Sequence, residues 1–193
     1  DQVEELDIRK NTIIVYQSDH GHSQEIRTFG GGGSAGIYRG AKFSLFEGGI
    51  RVPAIISWPG HLPTNQVRDQ LATACDWMPT LAKLTGIQLP AHQIDGIDIS
   101  ELIQTNSTKS PHEVFHWQTG GGKNLAWAVR QGPWKLLGNP NDTSQKAPLT
   151  NEDKLFLVNL DEDPSELTNL ATQHPERVTA LQKLHEQWLL DLR

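Results

Sequence analysis

A run of apolar and β-branched residues at 12–16, Thr-Ile-Ile-Val-Tyr, constrains the fold of this chain more than any other feature. A continuous run of this kind predicts a short strand covered on both faces, as in the parallel sheets of α/β proteins. Residues 1–10 before it are charged and contain no Met. We therefore expect the chain to begin partway through a fold. A parallel sheet without its neighbours exposes edges and apolar faces, so the chain made alone should dissolve poorly or self-associate.

Polar residues follow this strand directly, in the order Ser-Asp-His-Gly at 18–21. The carboxyl ends of strands in open α/β sheets are where ligands bind. A carboxylate at Asp19 suits Ca²⁺ or Mg²⁺, whereas an imidazole at His20 would favour a softer metal if it bound directly. The alternative is that Asp19 caps a turn and His20 is a surface histidine. Both residues are candidates for a metal site.

A second strand is predicted at 53–58, and a helix at 76–84 that ends at Gly86. Asp76 is placed as the N-cap of that helix, with Pro79 in its first turn. Cys75, the single cysteine of the chain, has no Cys or His at metal-ligand spacing, and we expect it to be a small buried side chain. With one cysteine, no internal disulfide can form.

The second half of the sequence predicts a different architecture. Short strands separated by turn signals indicate a small antiparallel sheet, at residues 114–117, 125–130, 134–137 and 154–158. Residues 139–151 resemble a mobile linker or a long hairpin loop. From Pro175 the apolar residues recur with helical spacing, at Val178, Leu181, Leu184, Trp188 and Leu189. We therefore predict an α/β chain with two domains, the last part of an α/β sheet domain at 1–110 and a small antiparallel sheet with a C-terminal helix at 111–193.

Charge and hydropathy exclude two classes of partner. The net charge is −6, which argues against nonspecific binding to nucleic acid, because that needs a basic surface. No apolar run approaches the roughly 20 residues that a membrane-spanning helix needs. A local cluster of cations could still bind a small anion within an acidic protein.

Lys42 is a candidate for such anion binding. It follows Arg39-Gly40-Ala41, in a loop where small residues allow a ligand to approach, and its ammonium could neutralise an oxygen of sulfate or phosphate. The alternative is a solvated lysine. Arg51, near Glu47, is expected to form a structural ion pair.

Further candidates lie in the second half, where His116 and Trp117 precede a Gly-Gly-Gly-Lys loop that ends at Lys123. Aromatic and cationic side chains of this kind can line a pocket for a sugar or an aryl group, although Trp in a strand usually belongs to a core. Residues 30–33 are all glycine but lack a phosphate-loop pattern, so they predict a flexible loop. The remaining histidines show no metal-binding spacing and are expected at the surface, namely His22, His61, His92, His112, His174 and His185.

Taken together, five ordered blocks resemble the C-terminal portion of the sulfatase family, within the alkaline-phosphatase-like superfamily. The resemblance covers nearly the whole chain. The first block is the strand with its Asp-His-Gly turn, and the second is Arg-Gly-Ala-Lys followed by Glu-Gly-Gly-Ile-Arg-Val-Pro. The others are Asp-Trp-Met-Pro-Thr-Leu with Asp-Gly-Ile-Asp, then Arg-Gln-Gly-Pro-Trp-Lys-Leu, and finally Leu-Phe-Leu-Val-Asn-Leu-Asp-Glu-Asp-Pro.

The resemblance implies a sulfuric ester hydrolase in which Asp19 and His20 bind Ca²⁺, with Mg²⁺ as the alternative, and Lys42 contacts the sulfate. The family more often has Asn where this chain has His20, which leaves open whether His20 binds the metal or the substrate. The family's nucleophile is a formylglycine made from Cys or Ser in a Cys/Ser-x-Pro-x-Arg context, and neither Cys75 nor Ser57 lies in one. The resemblance thus implies that formylglycine belongs to a missing N-terminal part, and that the chain alone is inactive.

The implied substrate is a sulfated small molecule or carbohydrate, and the implied location is secreted, periplasmic or lysosomal. Two alternatives remain open from the sequence. One is a phosphonate or phosphate monoester hydrolase of the same superfamily, and the other is a non-catalytic remnant that serves as a binding or structural module.

Overall fold

The structure is a computed structural model that describes residues 2–105, 107, 109–122 and 125–192. Its helices are α1 Gln2–Glu5, α2 Glu47–Ile50, α3 Trp77–Thr85, α4 Ser100–Gln104 and α5 Pro175–Asp191. Its strands are β1 Ile14–Gln17, β2 Ala54–Ser57, β3 Val114–Thr119, β4 Ala126–Gln131, β5 Trp134–Gly138 and β6 Leu155–Asn159. Short 3-10 helices lie at Arg9–Asn11, Ile26–Thr28 and Ala74–Asp76. None of the helices in these ranges is long and apolar enough to cross a membrane.

The chain forms two compact units, and each is made of segments that are separate in sequence. The first unit contains the residues up to Asp19 together with Pro53–Glu113. The second contains His20–Val52 together with the residues from Val114 onward. The predicted division of the chain near residue 110 stays a prediction for the domains of the protein.

In the first unit, β1 pairs with β2 in antiparallel orientation, with Ile14 opposite Ser57 and Gln17 opposite Ala54. Side chains on this two-stranded sheet remain accessible, and Tyr16 is 61% exposed. The pairing of β1 with β2 is therefore antiparallel rather than parallel as predicted, while the exposed side chains agree with the expectation that a sheet without its neighbours exposes apolar faces. The apolar run predicted the strand correctly, but the direction of pairing depends on the distant partner, which the run itself does not encode.

Helix α3 spans Trp77–Thr85 and is followed by the C-cap residue Gly86, whose φ of 73° is the left-handed conformation typical of a helix C-terminus. This confirms the predicted helix. Asp76 occupies the N-cap position, as predicted, but its side chain makes no capping hydrogen bond to α3. Its carboxylate instead accepts hydrogen bonds from the backbone N–H groups of Thr73 (2.7 Å) and Ile97 (2.9 Å) and pairs with His112 Nε2 at 2.8 Å.

Two further predictions in this unit are wrong. His112 is buried against Asp76 rather than lying at the surface, since its side chain is 6% exposed. Cys75, expected to be buried, is exposed. It lies in the 3-10 helix before α3, where the neighbouring Asp76 takes the buried position. Local sequence does not distinguish which of two adjacent residues faces inward in so short a helix.

The second unit contains the antiparallel sheet β3-β4-β5-β6, as predicted. Its two faces bury different side chains because successive residues of a strand point to opposite sides. Val129, Leu136 and Leu157 pack with Val178 and Leu181 of α5. Each fully buried aliphatic side chain contributes about 1.5–3 kcal/mol to folding. The predicted apolar side of α5 is thereby confirmed.

The opposite face of the sheet packs on the segment that precedes α2. Ala128, Leu137 and Phe156 lie in one cluster with Leu45 and Phe46. The Phe46 and Phe156 rings meet edge to face at 5.3 Å. This packing ties the segment that follows Lys42 to the sheet, although about 100 residues separate them in sequence.

Residues 139–154, which we call the β5–β6 loop, connect the last two strands of the sheet. This confirms the long hairpin loop predicted at 139–151. The alternative of a mobile linker is wrong, because the side chain of Asp142 is 4% exposed and pairs with Arg39 at 2.8 Å. Arg39, which lies three residues before Lys42, is itself buried.

Candidate functional site

The turn that carries Asp19 and His20 begins where β1 ends, as the sequence predicted. Ser18 N donates a hydrogen bond to Pro53 O at 3.3 Å, which continues the pairing of β1 with the segment entering β2. Asp19 is the last residue of the first unit's opening segment, and His20 is the first residue of the second unit. The two candidate metal ligands are thus consecutive residues at the point where the chain passes between units.

The ring of His20 is oriented by its own turn. His20 Nδ1 lies 2.7 Å from the Gly21 carbonyl oxygen. A carbonyl oxygen can only accept, so Nδ1 carries the proton, and in the neutral ring the lone pair is on Nε2. Histidines that bind metals commonly donate the other ring N–H to a backbone carbonyl in this way. The arrangement fits a role for His20 as a nitrogen ligand.

Gly21 anchors the turn on α2. Its N–H donates to Gly49 O at 2.9 Å, and a Cβ added at Gly21 would lie 1.9 Å from Gly48 O. A side chain at this position would therefore have to displace backbone. The absence of a Cβ allows the two backbones to meet, which places the His20 turn directly against α2.

The loop that carries Lys42 packs on the same helix. Gly48 N donates to Arg39 O at 2.6 Å, and a Cβ on Gly49 would lie 2.1 Å from Ser44 O. Lys42 N donates to His22 O at 2.9 Å. The glycine pair of α2 thus brings together the backbone after His20 and the backbone of Lys42, two of the residues that the sequence singled out.

The Lys42 side chain is partly exposed and lies among charged and aromatic neighbours. Its ammonium is 3.3 Å from Glu25 Oε2 and 5.0 Å from the centre of the Phe43 ring. Glu25 also pairs with Arg27 at 2.8 Å. The hydrogen bond from Arg27 lowers the pKa of the Glu25 carboxyl, desolvation raises it by less, and the hydrogen bond from Lys42 lowers it further. An anion that bound to Lys42 would compete with the Glu25 carboxylate.

Beneath this region lies a buried ionic cluster that the sequence analysis missed. Lys135 Nζ is 2.9 Å from Glu47 Oε1 and 3.0 Å from Glu166 Oε1, and all three side chains are buried. Arg51 and Arg130 approach Glu47 Oε2 at 3.8 and 3.9 Å. The Arg51 contact is the structural ion pair that the sequence predicted. A lysine between Trp134 and Leu136 in an apolar strand was the available signal for the rest of the cluster.

Burial and charge act in opposite directions on the pKa values of this cluster. Burial would raise the pKa of Glu47, but the charges of Lys135, Arg130 and Arg51 hold it below its usual value. The pKa of Lys135 is raised by the two carboxylates despite its burial. Burial, together with the nearby charge of Glu47, raises the pKa of Glu166. The cluster therefore holds Lys135 charged and Glu47 ionised, and Glu166 is its most readily protonated carboxylate.

The residues predicted to contact substrate in β3 lie in packed surroundings. The His116 ring stacks on Trp188 of α5 at 4.9 Å and lies 5.6 Å from the His185 ring. Trp117 packs on the cluster that contains Phe46. Lys123 lies outside the described residues. A substrate-binding role for these three residues stays a prediction.

His185, expected at the surface, is buried, and the Trp127 ring stacks on it at 4.4 Å. Burial, together with the neighbouring His185, lowers the pKa of His116 to about 4. Burial also lowers the pKa of His185. The sequence signal for His185 was its position three to four residues from Leu181 and Trp188, on the apolar side of α5.

A groove of about 760 Å³ lies elsewhere, in the first unit. Ile13 and Val15 of the β1 region and Met78 and Leu81 of α3 contribute to its lining, and no titratable residue is among the described residues that line it. Without an acid, a base or a cation, this groove offers no group for hydrolytic chemistry.

Within the part of the chain that the structure describes, no three His, Cys, Asp or Glu side chains converge to hold a metal ion. Asp19 and His20 offer one carboxylate and one imidazole, which is a partial set for a cation that takes six to eight oxygen ligands. The Asp19 carboxylate suits such a cation, whereas the imidazole of His20 would favour a softer metal if it bound directly.

Comparison with known proteins places these features in a family. The sulfatase family model matches residues 1–87. Bovine arylsulfatase A is 32% identical over 198 residues, which cover 94% of this chain and 38% of that protein. Human steryl-sulfatase is 42% identical over 120 residues, which cover 60% of this chain and 21% of that protein.

A solved structure agrees with these sequence matches. A protein described in connection with glycosaminoglycan metabolism by Bacteroides thetaiotaomicron superposes with a TM-score of 0.72 at 29% identity, over 96% of this chain and 40% of the other. This chain therefore spans about two fifths of the length of the relatives that match nearly all of it.

Proposed function

The chain belongs to the sulfatase family, and from that premise we propose that it forms the C-terminal part of an enzyme that hydrolyses sulfate esters. The observation that supports this proposal is the packing of the His20 turn and the Lys42 loop side by side on the glycines of α2. A divalent cation held at this turn, beside an ammonium group, would stabilise the negative charge of a sulfate ester.

Asp19 and His20 are the proposed ligands of a divalent cation, Ca²⁺ in preference to Mg²⁺. Such a cation, when bound, supplies Lewis-acid polarisation of the ester's sulfate oxygens. Asp19 would contribute a hard oxygen donor and His20 the Nε2 lone pair, while the Gly21 carbonyl holds the ring in one orientation. The formylglycine nucleophile and the remaining ligands would come from sequence outside this chain.

Lys42 is the proposed contact for the sulfate group. Its ammonium would neutralise charge that develops on the sulfate and on the leaving-group side as the ester bond breaks. Glu25 lies 3.3 Å from that ammonium and would have to release it when substrate enters. Exchange of one anionic partner for another keeps the ammonium paired throughout, which avoids leaving an uncompensated charge.

The substrate is proposed to be a sulfated small molecule or carbohydrate, and the location of the enzyme secreted, periplasmic or lysosomal. The fold does not select among sulfate esters, because substrate choice depends on side chains around the site. His116, Trp117 and Lys123 remain the predicted contributors to that choice.

The test uses the full-length protein and compares hydrolysis of an aryl sulfate with hydrolysis of the matching aryl phosphate. We expect a higher kcat/KM for the sulfate. Lys42→Ala should lower kcat by roughly 10²–10³-fold, the usual loss when a group that stabilises transition-state charge is removed. Lys83→Ala, an exposed lysine of α3, is the matched control and should turn over as the wild type does.

Two results would contradict the proposal in different ways. A preference for the phosphate ester would identify a phosphate or phosphonate hydrolase of the same superfamily. Near-normal kinetics of the Lys42 variant would show that Lys42 is an ordinary loop residue, even if the protein is a sulfatase.

A further inference from the structure

The backbone around Lys42 adopts a conformation that needs support. Gly40 and Phe43, on either side of the Ala41-Lys42 pair, both lie in the left-handed region, with φ of 87° and 73°. Glycine adopts this conformation readily, but for a bulky residue such as Phe43 it costs about 1–2 kcal/mol. Strained residues of this kind persist only where the surrounding structure holds them.

The β5–β6 loop supplies contacts on both sides of Lys42. Before it, Gly40 N donates to Ser144 Oγ at 2.9 Å and Ala41 N donates to Thr143 Oγ1 at 3.0 Å. After it, Ser44 Oγ donates to the Asn141 carbonyl at 2.7 Å. Three loop positions, 141, 143 and 144, thus hold the segment 40–44 through two hydroxyl groups and one backbone carbonyl.

The loop itself is fixed by charge. Asp142 Oδ2 accepts from Arg39 Nε at 2.8 Å, and Asp142 Oδ1 accepts from Ser144 N at 2.8 Å. Arg39 also donates to the Glu166 carbonyl at 2.8 Å and to the Ala147 carbonyl. Because the Arg39 guanidinium is buried and lies 4.1 Å from the centre of the Phe46 ring, the Asp142 carboxylate has a fixed partner rather than a mobile one.

We propose that the β5–β6 loop is the positioning element for Lys42, with Thr143 and Ser144 as positioning residues that hold the backbone from which its ammonium projects. This inference rests on the proposed role of Lys42 in binding sulfate. It assigns a part in the reaction to residues about 100 positions away in sequence. Neither hydroxyl is placed in contact with substrate.

The test uses the full-length protein with the double variant Thr143→Val and Ser144→Ala. The matched control is Thr150→Val, a hydroxyl of the same loop that donates to Asp153 Oδ2 at 2.9 Å. We expect faster amide hydrogen exchange in residues 36–46, about ten- to a hundredfold lower kcat/KM, and weaker inhibition by inorganic sulfate. The control should change none of these quantities. Thr143→Ser, which restores the acceptor, should recover activity in the presence of Ser144.

A double-mutant cycle separates positioning from general destabilisation. When Lys42 is already Ala, the Thr143→Val and Ser144→Ala changes should lower kcat/KM no further, because the group that they position is gone. An undiminished effect in that background would overturn the inference, since the loop would then act through something else. Unchanged hydrogen exchange in residues 36–46 would overturn it as well.

The proposed function can fail separately. If Lys42→Ala alone turns over at the wild-type rate, the sulfate-binding role of Lys42 is wrong, and with it any catalytic effect of positioning. Hydrogen exchange would then decide by itself whether the loop holds the segment.

Discussion

Lys135→Met would remove a fully buried ammonium and leave two carboxylates without it. Lys135 Nζ contacts Glu47 Oε1 at 2.9 Å and Glu166 Oε1 at 3.0 Å. Methionine keeps most of the length of the side chain but none of the charge. Removal of one partner from a buried ion pair costs roughly 3–5 kcal/mol, because the remaining charge stays desolvated and unpaired.

The structure places the expected loss at the lower end of that range. Arg51 and Arg130 still lie 3.8 and 3.9 Å from Glu47 Oε2, so Glu47 keeps part of its compensation. Glu166, whose pKa is already raised, can take up a proton instead of remaining charged. We therefore expect a loss of about 3 kcal/mol at pH 7, which corresponds to a protection factor lower by roughly two orders of magnitude.

The assay is amide hydrogen exchange of β5 in the full-length protein, which reports local opening free energy without requiring two-state unfolding. A carboxyl with a raised pKa binds more protons when folded, so stability falls as pH rises through the window above its ordinary value of about 4.3. The loss of opening free energy in the Lys135→Met variant, relative to the wild type, should therefore be smaller near pH 5 than at pH 7. Adding Glu166→Gln should recover part of it.

Lys154→Met provides the control, since Lys154 is an exposed lysine of the neighbouring β5–β6 loop. Exposed substitutions usually change stability by less than about 0.5 kcal/mol. If the β5 amides of the Lys135→Met variant were as well protected from hydrogen exchange as those of the Lys154→Met control, the buried ionic cluster would not stabilise β5. If the loss of opening free energy in Lys135→Met were the same at pH 5 and pH 7, Glu166 would not become protonated in place of its lost ion pair.

Three further predictions concern other sites. Asp19→Ala should abolish metal-dependent turnover of the full-length protein, and activity retained at saturating calcium would contradict a metal-binding role. His116, whose pKa lies at about 4, destabilises the fold as pH falls below about 6.5, because the unfolded chain then binds more protons. His116→Phe, which keeps a ring against Trp188, should therefore show a smaller drop in Tm between pH 7 and pH 5 than the wild type, and an equal drop would refute the argument. Arg39→Lys should speed hydrogen exchange in the β5–β6 loop around Asp142, because lysine cannot reproduce the guanidinium fork, and unchanged exchange would show that charge alone suffices.

The sequence predicted elements well where the signal was local. The helix ending at Gly86, the four short strands and the apolar side of α5 each depend on residues within one window, and the structure contains all of them. The antiparallel pairing of β1 with β2 was missed because 36 residues lie between the two strands. Burial of charged residues was missed for the same reason. Lys135 can be buried because Glu47, 88 residues before it, and Glu166, 31 residues after it, both pair with its ammonium. Neither contact can be read from the local sequence.

The candidate site shows the same division. Asp19, His20 and Lys42 could be singled out from sequence because each lies in a short motif with glycine beside or near it. The residues that hold the Lys42 segment could not be singled out from sequence, since Thr143 and Ser144 are common loop residues without any distinguishing pattern. Only the distances from their hydroxyls to Gly40 and Ala41 identify them.

The alternation of the chain between its two units has a consequence for synthesis on the ribosome. The Lys42 loop belongs to a unit whose other segment starts at Val114, and Arg39 bonds to the Glu166 carbonyl, 127 residues further along. Before translation has passed β6, the loop can therefore have only its contacts with α2 and with the turn after His20, and it lacks those from the β5–β6 loop and Glu166. A message truncated before residue 142 would yield a chain that carries the candidate residues Asp19, His20 and Lys42, yet lacks the loop residues that hold the Lys42 segment. Synthesis of the later segment, rather than appearance of the candidate site residues, would then be the step after which the Lys42 loop reaches its final conformation.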